Sequence, residues 1–341
     1  MLIAIHSRKG SFSDRWIQYC IDNNLDFKIV NCYSTDIIDQ LKGCSGLMWH
    51  WSHGDYKDQN FARQLIMSVE KMGISVFPNF DTCWHFDDKI GQKYLLESLE
   101  LPLVPSYVFY NKKEAIAWLS KAEYPLVFKL RGGAGSYNVK FVKNFSSALH
   151  LVHKMFNKGI PLIDKKSFIT ERWINYKRKK DFGSFILFIK GCVKFICPIN
   201  NIKLLQRQKG YVYFQKFIAN NTFDDRIIII GDKAIKIRRF NRQNDFRASG
   251  SGMFSTEPHN IDLNTIELAF KINEKLDMQA CAVDIIYHYD KPLIAEVSYG
   301  FAIGSPYDDC PGYWQKDLTW VEDVINPQNM IIEQFINKLR K

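Results

Sequence analysis

The sequence lacks several features that would place the protein in a specialised class. It has no apolar run of membrane-spanning length, no internal repeat and no low-complexity segment. The apolar stretch from Met1 to His6 is too short for a signal peptide and lacks a basic start. It predicts a buried strand. The eight cysteines form no Cys-x-x-Cys pair, which argues against a zinc site or a disulfide framework. We therefore expect reduced thiols and a cytoplasmic protein.

Motifs for covalent catalysis are missing as well. No Gly-x-Ser-x-Gly and no Cys/His pairing indicates an acyl-enzyme mechanism. The 341 residues, 46% hydrophobic and 14% aromatic, are enough for two or three globular domains. The net charge of +10 favours anionic partners, such as nucleotides, acidic sugars, nucleic acid or a membrane surface.

The first 80 residues predict a small parallel sheet, because short apolar strands alternate with amphipathic helices. Ligands bind such sheets beyond the carboxyl ends of the strands. Two polar loops follow predicted strands there, one with Arg8 and Lys9 and one with His50 and His53. They are candidates for binding a carboxylate or phosphate, although ordinary loop polarity explains them equally well.

The most informative stretch is a strand that ends at Lys129 and runs into a glycine-rich loop, which is followed by another strand. Successive small residues let backbone N–H groups approach an anion, and a preceding Lys adds a point charge. The loop contains Gly132, Gly133, Gly135 and Ser136. It is neither a P-loop nor a dinucleotide fingerprint, since no Gly-Lys-Ser/Thr and no helix follow. By itself, the pattern is equally typical of a plain glycine-rich hairpin with a solvated Lys.

Residues between about 145 and 212 predict less regular structure. A helix is expected over Ser146 to Asn157 and a strand over 168–170. Phe185–Phe188 and Val193–Ile196 predict a hairpin around Lys190 and Gly191, because glycine often marks a turn. The basic segment Leu204–Lys209 is expected to be mobile.

Two carboxylates interrupt otherwise apolar strands near the C-terminal end, Asp284 and Glu296. A buried carboxylate needs a cation or hydrogen-bond donors to offset its desolvation. A five-residue loop, His288 to Pro292, would place the two carboxylates opposite each other, where Mg²⁺ between them would relieve their repulsion. The alternative is that one or both form buried ion pairs with Arg238, Arg239 or Arg247.

Taken in order, these motifs resemble the ATP-grasp superfamily, above all its RimK-like and glutathione-synthetase-like carboxylate–amine ligases. The resemblance covers roughly residues 80 to 300. It rests on Lys89, on Lys129 with its glycine-rich loop, on the segments Gln215–Ile218, Asp225–Arg226, Arg238–Arg239 and Asp245–Gly250, and on Asp284 and Glu296–Ser298.

The resemblance implies an α/β (α+β) ATP-grasp fold with an N-terminal small parallel-sheet pre-ATP-grasp domain. The expected units are residues 1–85 for that domain, 86–214 for linker helices and the central or lid subdomain, and 215–341 for the C-terminal ATP-grasp subdomain with the metal-binding hairpin.

The resemblance also implies roles for individual residues. ATP would be bound by Lys89, Lys129, Gly132, Gly133, Gly135, Ser136, Gln215, Lys216, Phe217 and Ile218. The transferred phosphate would be stabilised by Arg226, Arg239 and Arg247. Mg²⁺ or Mn²⁺ would be held by Asp284, Glu296 and Ser298, although the family has Asn at the position of Ser298 and a hydroxyl is a poorer ligand. Candidate substrate contacts are Arg8, Lys9, His53, Ser249, Gly250 and Tyr307.

The resulting hypothesis is an ATP- and Mg²⁺-dependent ligase that activates a carboxylate as an acyl-phosphate and joins it to an amine. The substrate is expected to be an anionic small molecule or a sugar acid of surface polysaccharide. Two alternatives stay open: a kinase on the same fold, and a non-catalytic nucleotide- or nucleic-acid-binding module. We expect no membrane span and no nucleic-acid partner, and a homodimer is left open.

Overall fold

The protein is described by a computed structural model that covers residues 1–133, 138–162, 172–173, 176–177, 180–196, 207–242 and 245–340. Gly135, Ser136 and the strand expected over 168–170 lie outside these ranges. Within them, no helix is both long enough and apolar enough to cross a membrane.

The N-terminal segment forms the predicted parallel sheet. Its strands are β1 (Ile3–His6), β2 (Phe27–Val30), β3 (Gly46–Met48) and β4 (Ser75–Phe77), in the order β2-β1-β3-β4. Its helices are α1 (Phe12–Asp22), α2 (Ile37–Leu41) and α3 (Tyr56–Lys71). Because all four strands are parallel, the loops after β1 and β3 leave the same edge of the sheet. The two candidate polar loops are therefore neighbours.

A second, antiparallel sheet carries the segment that ends at Lys129. It follows the short helix α4 (Phe80–Cys83) and helix α5 (Lys89–Ser98). The strands are β5 (Ser106–Phe109), β6 (Leu126–Lys129), β7 (Lys140–Val142) and β10 (Val212–Lys216), in the order β5-β10-β6-β7. Helices α6 (Lys112–Leu119) and α7 (Phe145–Phe156) share its apolar core. Asn111 and Asn144 cap these helices through hydrogen bonds to backbone N–H groups, as expected for their positions.

The hairpin predicted around Gly191 is wrong, because residues Phe182–Ile196 form one helix, α8. An isolated glycine is tolerated inside a helix at a cost of about 1 kcal/mol. At Gly191 a Cβ would lie 2.9 Å from Cδ of Arg172. Close packing, rather than a turn, therefore explains why this position is occupied by glycine. The expected mobile basic segment also contains structure: β9 (Arg207–Gln208) pairs with β8 (Ile160–Pro161).

A third sheet is formed by the C-terminal part of the chain. Its strands are β11 (Phe223–Ile230), β12 (Lys233–Phe240), β13 (Phe254–Ser255), β14 (Ala280–His288), β15 (Lys291–Ser298), β16 (Gly312–Gln315) and β17 (Trp320–Glu322). The order is β15-β14-β11-β12-β16-β17, with β13 on β12. Helices α9 (Leu263–Leu276) and α10 (Pro327–Leu339) complete this part. Its core is continuous with that of the N-terminal sheet, whereas the second sheet has a core of its own.

The β14–β15 hairpin reaches the expected register by a different route. Its turn contains only Tyr289 and Asp290, both at positive φ (48° and 62°), as a type I′ turn requires. The register then shifts by one residue between Asp284 and Ile285. Asp284 consequently pairs with Glu296, while Ile285 pairs with Ile294. The turn is shorter than the five-residue loop that would have paired the two carboxylates directly, and the bulge restores their pairing.

Candidate active site

A cavity of about 480 Å³ lies where the three sheets meet, and most of the predicted site residues line it. Lys9, Gly132, Gly250 and Tyr307 do not, and Gly135 and Ser136 lie outside the described residues. The second sheet contributes Lys129 and Gln215 to its wall, and helix α5 contributes Lys89. The third sheet contributes the Arg226, Arg239, Asp284 and Glu296 side chains. The loops after β1 and β3 close the remaining side with Arg8, His50, Trp51, Ser52 and His53. The cavity thus joins residues separated by nearly 290 positions in the chain.

Two lysines face the same carboxylate. Lys89 is only 6% exposed, and its Nζ donates to Glu296 Oε1 (3.1 Å) and to the Gly133 carbonyl (3.0 Å). Burial acts to lower the pKa of Lys89, but the Glu296 and Asp87 carboxylates hold it above its ordinary value. For Lys129 burial prevails, and its pKa is lowered to about 8. Lys89 is therefore a permanent cation and Lys129 a titratable one.

The described start of the glycine-rich loop is held by two aspartates. Gly133, at φ 109°, donates its N–H to Asp87 Oδ1 (2.7 Å), and a Cβ on Gly132 would lie only 3.0 Å from Asp87 Oδ2. Asp88 caps α5 by accepting from the Gly91 N–H and binds Arg131 through two hydrogen bonds of 2.6 and 2.8 Å. Sequence reasoning did not identify the contacts that Asp87 and Asp88 make with the loop.

The segment Gln215–Ile218 lines the cavity beside apolar side chains of Val127 and Ile286. The Gln215 side chain donates to Ser106 Oγ (3.0 Å), which directs it into the sheet. Phe217 packs edge-on against Phe141 and Phe246, with ring centroids 5.0 and 5.8 Å away. An apolar slot bounded by strand backbone is suited to a flat aromatic ring such as a purine.

Asp284 lies in a buried ion-pair network. Its two oxygens accept from Nε and Nη2 of Arg226 at 2.7 and 2.8 Å, and Nη2 of Arg239 lies 2.8 Å from Oδ2. Arg239 in turn binds both oxygens of Asp224 at 2.6 and 2.8 Å. Burial alone would raise the pKa of Asp284, but the two guanidinium groups hold it well below its ordinary value. The alternative of a buried Asp284–Arg239 pair is thus observed.

Glu296 is the more accessible of the paired carboxylates, with its side chain 33% exposed. Ser298 faces the same cavity, and its hydroxyl donates to the Gly300 carbonyl (2.7 Å) while accepting from the Gly300 N–H (3.0 Å). The described residues contain no group of three or more His, Cys, Asp or Glu side chains arranged to hold a metal. Glu296 is nevertheless a hard oxygen donor with a partly exposed side chain, which suits a Mg²⁺ ion that is also bound by phosphate.

The N-terminal side of the cavity is basic and aromatic. Arg8 donates from Nη2 to the His50 carbonyl (3.0 Å), and its buried Nε has no hydrogen-bond partner among the described residues. Burial and the neighbouring Arg8 lower the pKa of His50 to about 3, so this imidazole is neutral. Gly300, Phe301 and Ala302 also line the cavity. The aromatic tail after β15 thus contributes to the wall with its first residues.

Some predicted residues lie elsewhere or act indirectly. Lys9 and Gly250 are exposed and do not line the cavity. Tyr307 is not a wall residue, but its hydroxyl accepts from Arg226 Nη1 (3.1 Å). Arg247 and Ser249 line the cavity, and Arg247 pairs with Asp245 at 2.6 Å. Asp224 was missed, although the β11–β12 register that places it opposite Arg239 follows from the hairpin.

Comparison with known proteins agrees with this arrangement. Residues 199–303 match the RimK-like ATP-grasp domain. This segment is therefore similar to a RimK-like ATP-grasp domain. The resemblance stated from the sequence and the fold class are therefore confirmed. Solved structures of similar fold were determined in complex with MgADP and with ATP.

Individual relatives are distant. The alpha-aminoadipate–LysW ligase LysX of Saccharolobus solfataricus is 23% identical over 237 residues, 69% of each protein. D-alanine–D-alanine ligase from Bacillus anthracis, complexed with ATP, superimposes with a TM-score of 0.57 at 14% identity, over 100% of this chain and 98% of that one. The biotin carboxylase domain dimer of Hydrogenobacter thermophilus 2-oxoglutarate carboxylase, solved with MgADP, gives a TM-score of 0.60 at 13% identity, covering 97% and 68%. At these identities the structural matches establish the fold alone.

Proposed function

We propose that this protein is an ATP- and Mg²⁺-dependent ligase that joins a carboxylate to an amine and releases ADP and phosphate. The observation that carries the proposal is the cavity in which Lys89 and Lys129 lie beside Glu296, with Arg226 and Arg239 on the adjacent strands. This is a concentration of cations suited to a polyphosphate, with one accessible carboxylate for a hard metal ion.

The chemistry needs no protein nucleophile. A substrate carboxylate oxygen attacks the γ-phosphorus of ATP, the bond to the β–γ bridging oxygen breaks, and ADP leaves. The amine nitrogen then attacks the acyl carbon, phosphate departs with the C–O bond electrons, and the amine loses a proton to water. The protein's task is to position the reactants and neutralise charge. A bound Mg²⁺ supplies further charge neutralisation on the phosphates.

The residue assignment rests on the resemblance and is supported, for the residues that line the cavity, by their position there. Lys89, Lys129 and the glycine-rich loop, including Gly132, Gly133, Gly135 and Ser136, are assigned to the phosphates. The Gln215–Ile218 segment is assigned to adenine, read through its backbone. Arg226, Arg239 and Arg247 are assigned to the transferred phosphate, and Glu296, with Asp284 and Ser298 as further candidates, to the metal. The three-unit division at residues 85 and 214 is part of the same proposal.

The acid substrate is proposed to be an anionic small molecule, such as a sugar acid of surface polysaccharide. The support is the Arg8 guanidinium, whose buried Nε faces no acceptor among the described residues. His53 and Ser249 also line the cavity, while Lys9, Gly250 and Tyr307 would act from its margin. A cytoplasmic location and a homodimer belong to the proposal as well, and we expect no nucleic-acid partner.

The test begins with calorimetric titration of ATP, with and without Mg²⁺, into wild type and Glu296→Gln. We expect Mg²⁺ to tighten binding in wild type and to have a much smaller effect in the variant. Glu322→Gln, an exposed carboxylate on β17, is the matched control and should behave as wild type. If ATP does not bind, or if neither Mg²⁺ nor the substitution matters, the proposal fails.

Product analysis then separates the alternatives. A ligase releases phosphate only when both an acid and an amine are present, whereas a kinase on the same fold leaves a stable phosphorylated product with no amine. A non-catalytic nucleotide-binding module turns over no ATP with any acceptor. A nucleic-acid-binding module shows a steep salt dependence of affinity.

A further inference from the structure

The paired carboxylates of the β14–β15 hairpin are not equally available to a metal ion. Asp284 receives three N–H contacts from two arginines, spread over both of its oxygens. A cation that coordinated Asp284 would have to displace at least one of these contacts. It would also lie next to two guanidinium charges, in a buried site where like charges are weakly screened.

Ser298 is engaged in a different way. Its hydroxyl donates to the Gly300 carbonyl and accepts from the Gly300 N–H, a local turn that uses its one proton and one lone pair. Metal coordination through Ser298 would have to compete with this turn. A neutral hydroxyl offers little charge in return, since Mg²⁺ strongly favours carboxylates, phosphates and water.

The other cavity carboxylates are engaged as well. Asp224 forms a two-point pair with Arg239, and Asp87 accepts the Gly133 N–H. Glu296 differs, because among the described residues its carboxylate contacts only Lys89, at Oε1, and one-third of its side chain is exposed.

We propose that Glu296 is the sole protein ligand of a single metal ion, and that Asp284 is a positioning residue that orients Arg226 and Arg239. The two arginines supply the positive charge that a second metal ion would otherwise bring to the phosphates. The proposal rests on the proposed function, because the metal is expected to arrive with a nucleotide.

Arg226 is well placed for this role. It is held by Asp284 at Nε and Nη2 and by the Tyr307 hydroxyl at Nη1, so three of its nitrogens have fixed partners. Arg239 is fixed between Asp224 and Asp284. Side chains held in this way bind an anion with little reorganisation. A mobile metal ion, in contrast, must reorganise its own hydration shell.

The decisive experiment counts metal ions. Full-length protein is saturated with a non-hydrolysable ATP analogue and titrated with Mn²⁺, and free Mn²⁺ is measured by electron paramagnetic resonance after equilibrium dialysis. We expect one protein-bound Mn²⁺ per bound nucleotide. Two Mn²⁺ per nucleotide would overturn the single-ion inference and leave the proposed function intact. No binding of nucleotide or Mn²⁺ would overturn both.

Two variants distinguish ligand from positioning residue. Glu296→Gln should weaken Mn²⁺ binding in the nucleotide complex at least about tenfold, since even outer-shell changes can have effects of that size. Asp284→Asn should weaken it by less than about threefold while lowering the melting temperature, because two buried arginines lose a carboxylate. Equal losses of Mn²⁺ affinity in the two variants would contradict the inference.

A third variant covers the case in which Asp284→Asn does not fold. Arg226→Gln removes two of the three N–H contacts that occupy Asp284. We expect this variant to bind a second Mn²⁺, because the carboxylate becomes available. A stoichiometry in Arg226→Gln that stays at one even at high Mn²⁺ would refute the idea that the arginines exclude a second ion.

Discussion

Lys129 should make ATP binding depend on pH in a range where the nucleotide itself no longer titrates. Burial lowers the pKa of Lys129 to about 8, whereas the pKa of the neighbouring Lys89 is held above its ordinary value. If bound phosphate keeps Lys129 protonated, affinity is constant below pH 8 and falls above it. The loss between pH 7 and pH 9 is then about tenfold, or about 1.4 kcal/mol, the energy of one pKa unit.

The assay is calorimetry of ATP with Mg²⁺ at pH 7, 8 and 9, repeated at pH 8 in buffers of different ionisation enthalpy. Wild type should take up about half a proton per ATP at pH 8, where Lys129 is half protonated. Lys129→Arg is the matched control, because arginine keeps its charge throughout this range, and its affinity should not vary. The reasoning is refuted if wild type shows no loss of affinity at pH 9, or if Lys129→Arg shows the same loss.

Rising pH should affect the stability contribution of Lys129 in the opposite direction to its effect on ATP affinity. The folded pKa of Lys129 is depressed below the ordinary lysine value of 10.5, so between about pH 8 and 10.5 the unfolded state binds more protons than the folded state. The contribution of Lys129 to the free energy of unfolding therefore rises with pH across this window. Urea unfolding of wild type and Lys129→Arg at pH 8 and pH 10 measures this contribution as the difference between the two proteins.

Three further predictions concern stability and are measured by urea unfolding. Asp88→Ala should cost about 1 kcal/mol through loss of the α5 cap, and Asp88→Asn, which keeps a capping oxygen, should cost less; equal costs would argue against the cap. Gly312→Ala should be severely destabilising, because its Cβ would lie 2.0 Å from the Val321 carbonyl oxygen, whereas Gly54→Ala meets nothing closer than 3.5 Å and should be near neutral. Tyr289→Gly should raise stability by about 1 kcal/mol, because Tyr289 is at positive φ and exposed, and Tyr289→Ala should give no such gain.

Short-range pattern was sufficient for much of the fold. The alternation of apolar strands and amphipathic helices predicted the parallel N-terminal sheet. The helix Phe182–Ile196 was missed, because Gly191 is equally compatible with a turn and with a tightly packed helix. Local sequence does not say which neighbour a glycine must accommodate.

The order of the charged motifs carried the resemblance to the ATP-grasp superfamily, and most of the residues that the resemblance implied line the cavity. What each side chain contacts was decided only by the tertiary structure. The bulge that pairs Asp284 with Glu296 depends on a two-residue turn, and the partners of Asp284 come from β11 and β12. Neighbouring charges then separate the two buried lysines. Among the described residues, Lys89 has a carboxylate within hydrogen-bond distance and Lys129 does not, so residues of the same type acquire opposite pKa shifts. Sequence determines which charges are present, but their interaction energies depend on distance and desolvation, which only the folded chain sets.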